Sequence, residues 1–182
     1  IVQTKSVHDP RYIRAVKNIR EALTSDSPRN LFLLKRVIKT NKIDDRGFSP
    51  LHIAIFSSPK LVQDLVKEGS KLEERNKFDE TPLISTAENG LLDILKNLVE
   101  LGANIEATTK GRTSLHIAAA KGHTEIVTYL CENGAKVATI NTQGKTPLHA
   151  AAARKECPTE IIQKLLIHGA QLEATNHCGL TP

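Results

Sequence analysis

One short phrase returns at a nearly constant interval, and few folds tolerate that. Ser49-Pro50-Leu51-His52-Ile53-Ala54 is followed by Thr81-Pro82-Leu83, Thr113-Ser114-Leu115-His116-Ile117-Ala118 and Thr146-Pro147-Leu148-His149-Ala150-Ala151, and Thr181-Pro182 begins a fifth copy. The starts lie 32, 32, 33 and 35 residues apart. A period of about 20 to 50 residues marks a stack of small units, none of which can bury its apolar side alone. The phrase also carries local instructions. A Ser or Thr hydroxyl caps a helix, and proline is tolerated at the first helical position. Apolar residues then recur at helical spacing, as in Leu61, Val62, Leu65 and Val66, or Ile126, Val127 and Leu130. Gly69 and the pairs Gly102-Ala103, Gly134-Ala135 and Gly169-Ala170 close the second helix of each copy.

From about Asp44 onward, the phrase and its late Gly-Ala pair in register resemble the ankyrin repeat. The resemblance implies an all-α solenoid of stacked antiparallel helix pairs with projecting turns, and a role in protein binding. The expected domain is single, over 1–182. Residues 1–43 are expected to form a degenerate capping helix pair. Repeats open near 44, 76, 109 and 141, and a partial repeat starts at 176. That unfinished repeat suggests a fragment of a longer protein. Several places depart from the pattern. Ile84 stands where the other copies have His, and Phe78-Asp79-Glu80 replaces a Gly-centred turn. Thr109-Lys110-Gly111 is one residue shorter than Asn141-Thr142-Gln143-Gly144, and Arg154 to Thr159 lengthens the fourth inter-helix loop. Alanines at 118–120 and 151–153 are expected to let inner helices approach closely.

Charge is uneven. Residues 1–47 hold eleven Lys or Arg against five Asp or Glu, and the rest hold fourteen against fifteen. The leader offers a possible basic patch at Arg11, Arg14, Lys17, Arg20, Lys35, Arg36 and Lys39. Its readings, in order, are a solvated face, a contact for an acidic protein, and a contact for nucleic acid or an anionic membrane. Three cysteines without framework spacing point to a reducing compartment. No apolar run is long enough to span a membrane. An intracellular location follows, cytoplasmic or nuclear, in the producing cell or in the host of a pathogen.

No catalytic or metal constellation emerges, and no cofactor is expected. His52, His116 and His149 recur at one repeat position, too far apart to share a metal. The resemblance implies a structural role for them, hydrogen-bonding near the turns. Cys131 reads as a small core residue. Cys157 beside Lys155, and Cys178 beside His177, lack the base and orienting group of a nucleophile.

The resemblance instead places recognition on the inner helices and turn tips. On the inner helices these are Phe56, Ser57, Glu88, Asn89, Lys121 and Arg154; at the tips they are Arg46, Lys77, Phe78, Lys110 and Gln143. Phe78 either anchors a partner or packs against Phe48 or its own turn. The expected function is a non-catalytic protein-protein interaction module for a partner protein or peptide. The alternatives are a structural or autoregulatory segment acting within a larger chain, and contact of the basic leader with nucleic acid or membrane.

Overall fold

The computed structural model describes residues 47–56, 59–154 and 158–182. The expected leading helix pair, the expected basic patch (Arg11, Arg14, Lys17, Arg20, Lys35, Arg36 and Lys39), Arg46, Ser57 and Cys157 lie outside the described residues.

Among the described residues, eight helices form four consecutive pairs: α1 (Pro50–Ala54) with α2 (Pro59–Lys67), α3 (Pro82–Asn89) with α4 (Leu92–Glu100), α5 (Ser114–Lys121) with α6 (Thr124–Glu132), and α7 (Pro147–Ala152) with α8 (Thr159–Ile167). First helices pack on first helices, and second helices on second helices. The result is the two-layered stack that the period demands. The all-α reading holds apart from one small hairpin, β1 (Thr108–Thr109) with β2 (Arg112–Thr113), at a turn tip.

Each first helix begins as the repeated phrase dictates. Ser49, Thr81, Thr113 and Thr146 adopt extended backbone, and their hydroxyls accept from the backbone N–H three residues on. This satisfies a donor that the helix leaves orphaned. The second helices end at glycines with positive φ: Gly69, Gly102, Gly134 and Gly169.

One continuous apolar core runs through the stack. Leu51, Leu83, Leu115 and Leu148 are the buried first-helix anchors, and Leu65, Leu98, Leu130 and Leu165 those of the second helices. Two expectations need correction. Ala118, Ala119 and Ala151 are buried between inner helices, but Ala152 and Ala153 are exposed. Ile167, read as part of the apolar stripe of α8, is 77% exposed, because it falls in the last turn beyond Leu165.

Candidate functional site: turn tips and inner helices

Among the described residues four complete turn tips follow one another along one edge, and their architecture comes from residues that keep their register. In three of them an asparagine leads. Asn76 Oδ1 accepts from the backbone N–H of Phe78 and Glu80. Asn141 does the same for Gln143 and Lys145, and Asn176 for Cys178 and Leu180. An Asx side chain that replaces backbone acceptors in this way sets a three-residue loop. The last loop residue needs φ > 0, which Gly144 (73°) and Gly179 (74°) supply readily. Asp79 holds the same place with φ 62°. Arg75 compensates: its Nη1 donates to the Asp79 carbonyl and Oδ1, each at 2.9 Å, and to the Thr108 carbonyl at 2.7 Å. Sequence reasoning missed the asparagines and Arg75. The asparagines' signal is their constant place five residues before Thr81, Thr146 and Thr181.

The remaining tip has only two residues between its paired strands, Lys110 and Gly111. Both have positive φ, 51° and 74°. This is the twist that a two-residue hairpin requires. The missing residue noted at this turn is therefore what makes the hairpin.

The tips are bonded to one another. Thr109 Oγ1 donates to the Phe78 carbonyl at 3.2 Å, Thr142 Oγ1 to the Lys110 carbonyl at 3.4 Å, and the His177 N–H to the Gln143 carbonyl at 3.1 Å. Beneath them, Glu73 accepts from the Asn104 N–H and Glu106 from the Lys136 N–H, which ties successive loops together. The backbone of the edge is thus engaged while the candidate side chains Lys77, Phe78, Lys110 and Gln143 are all exposed. Phe78 is 56% exposed. Phe48 instead meets the ring of His52, edge to face, with centroids 5.7 Å apart.

The recurring histidines fasten the tips to the helices. The Nε2 atoms of His52, His116 and His149 lie 2.9–3.0 Å from the carbonyl oxygens of Glu80, Lys145 and Leu180, each in the following turn. A carbonyl can only accept, so Nε2 carries the hydrogen. Nδ1 is then free to accept from the backbone N–H of Ser49, Thr113 or Thr146. Burial lowers the pKa of His116 below the ordinary 6.5; the bond to Lys145 opposes this and Arg112 adds to it. Ile84 is fully buried at the same position and keeps only the Thr81 cap.

On the inner helices the structure brings two candidates together. Lys121 Nζ lies 2.6 Å from Glu88 Oε1, joining α5 to α3. Asn89 is exposed, and its amide donates to the Ser85 carbonyl at 2.7 Å. Phe56 is exposed at the end of the first pair's inner helix. Arg154 is half-buried; its Nη1 donates to the Ala120 carbonyl at 2.7 Å and its guanidinium lies against Gly122. It therefore braces the α5 end as well as facing outward.

The outer helices carry a groove lined in part by Lys96, His123, Glu125, Tyr129, Glu160 and Lys164. Its charges are of both signs, and Lys96 sits 5.7 Å over the Tyr129 ring. Cys131 is buried, and burial pushes its thiol up to about 11, far from a reactive thiolate. Among the described residues no group of three His, Cys, Asp or Glu side chains could hold a metal ion. None of the described helices is long and apolar enough to cross a membrane.

A family model described as ankyrin repeats, in three copies, matches residues 51–141 and 108–176. The chain is 33% identical over 109 residues to a transient receptor potential cation channel subfamily A member 1 homolog of Caenorhabditis elegans, covering 59% of this chain and 9% of that protein. It is 36% identical over 97 residues to the putative E3 ubiquitin-protein ligase XBAT35 of Arabidopsis thaliana, covering 51% and 21%. It is 28% identical over 140 residues to NF-kappa-B inhibitor zeta of Mus musculus, covering 71% and 18%. The chain thus spans about a fifth or less of the length of these relatives.

Proposed function

The chain belongs to the ankyrin-repeat family, and on that premise we propose that it is a non-catalytic recognition module acting inside a cell. It binds a partner protein or peptide along its turn tips and inner helices. The observation that carries this reading is the bonded row of tips. The carbonyls of Phe78, Lys110 and Gln143 are each engaged by the next turn. Their side chains, with that of Lys77, are needed neither for the core nor for the caps.

Such an edge binds by prior order. The backbone loses little further freedom when a partner arrives, so contacts are not offset by the entropy of ordering a loop. Phe78 supplies the apolar anchor and the surrounding polar side chains the specificity. The relatives bear names as different as a cation channel homolog, a ubiquitin ligase and an NF-kappa-B inhibitor. A shared binding segment set in unlike chains fits that variety better than a shared reaction does.

The test is affinity capture from a cell extract with the native chain and with a Phe78→Ala, Lys121→Ala double variant. The native chain is expected to retain specific proteins that the variant loses, with thermal unfolding little changed. Retention of the same proteins by the variant would remove these residues from the role. Turnover of a small molecule by the native chain would sink the reading itself.

A further inference from the structure

We propose that the edge from Lys77 to Lys145 takes an extended acidic peptide whose carboxylates stand three residues apart, with one apolar side chain against Phe78. This rests on the recognition role above and narrows its partner.

Charge is the first argument. Lys77, Lys110 and Arg112 are exposed and Lys145 half-buried, and none of the four has an ion-pair partner among the described residues. The acidic side chains of the same tips are already engaged. Asp79 is held by Arg75, and Glu80 accepts from the Asn76 amide at 3.0 Å and the Ser85 hydroxyl at 3.3 Å. Among the described residues the edge therefore presents four unpaired cations against one carboxylate, Glu80, that no cation neutralises, and an acidic ligand complements the net positive charge.

Spacing is the second argument. Neighbouring packed helices stand about 8–10 Å apart, and the tips they carry touch through the bonds described above. A polyproline-type chain rises about 3.1 Å per residue with three residues per turn. Residues three apart then lie on one side and advance by about one repeat. A β-strand brings every second residue to one side, at a shorter step. The stack thus favours acids at every third position. Single-stranded nucleic acid fits less well, because it is gripped by a series of aromatic platforms and Phe78 is the one aromatic residue in these tips.

The experiment measures fluorescence anisotropy of labelled peptides with the full 182-residue chain at about physiological salt. Two peptides of identical composition carry one leucine at an end; one has glutamates at every third position, the other at every second. The first is expected to bind at least about threefold tighter, and Lys110→Glu with Arg112→Glu to weaken it at least about tenfold. Lys145→Glu, outside the strained hairpin turn, serves as a second variant, with circular dichroism confirming the fold of each. Equal affinity for the two isomers, indifference to charge reversal, or displacement of the peptide by an oligothymidylate would overturn the proposal. If neither peptide binds while the Phe78→Ala, Lys121→Ala variant still loses captured proteins, the acidic register is wrong and the recognition role stands.

Discussion

His116 Nε2 lies 3.0 Å from the Lys145 carbonyl oxygen, and Nδ1 of the same ring lies 3.3 Å from the Thr113 N–H. One neutral imidazole therefore closes its own helix and holds the next turn. Protonation would place a hydrogen on Nδ1 against the Thr113 N–H, which is a geometric reason beside burial for the ring to stay neutral.

Stability is expected to fall on mild acidification. The folded pKa of His116 lies below 6.5, so below that pH the unfolded chain binds the extra proton and unfolding gains. The contribution is complete above the unfolded value and disappears as pH falls through 6.5 towards the lowered folded value. Urea midpoints of the native chain and His116→Gln, taken from pH 7.5 to 5, should converge as pH falls. Parallel curves would exclude this histidine as a source of pH dependence.

Lys110→Gly is expected to stabilise. A non-glycine residue at φ 51° carries a left-handed penalty of about 1–2 kcal/mol, partly offset by the greater freedom of glycine in the unfolded state. A net gain of about 0.5–1 kcal/mol should appear as a higher urea midpoint with unchanged slope. A loss would mean that the lysine side chain holds the turn.

Gly111→Ala is expected to cost more than Gly134→Ala. Both glycines have positive φ, so both variants share the backbone penalty. Only at Gly111 would the new Cβ lie 2.8 Å from backbone, at the Thr142 N, whereas at Gly134 it meets nothing within 4 Å. The difference, about 1 kcal/mol or more, is read as the gap between two denaturation curves; equal losses would indicate that the tips separate without cost.

Thiol labelling should divide the cysteines. Cys178 is exposed, whereas Cys131 is buried with its thiol pushed up to about 11. In a Cys157→Ser background, a disulfide reagent at pH 8 should label one thiol promptly and the second only at the rate of opening. Rapid labelling of both would show that α6 opens readily from the stack.

Much of this was legible because the repeated phrase does several jobs at once. Thr146-Pro147-Leu148-His149 names a cap, a first helical turn, a core anchor and a fastening ring, and each takes that part in the structure. Legibility failed where a residue acts across repeats. Nothing adjacent to Glu73 announces its bond to the Asn104 N–H, and nothing adjacent to Arg75 announces the Thr108 carbonyl. Asp79 reads as turn chemistry, but its left-handed backbone is visible only against the glycines aligned with it. The pairing of Glu88 with Lys121 is equally hidden: in the sequence both read as surface residues, and only the stacking of α3 on α5 sets them together.

The Lys110-Gly111 hairpin also has a consequence for direction. The fingers already bond in one direction, the second, third and fourth each to a carbonyl of the finger before it. The second of the four described fingers is also shorter by one residue than the others. A ligand fitted to that short finger would meet a full-length one in its place if it were turned around. One residue fewer thus adds a fixed landmark to a surface whose bonding already runs one way.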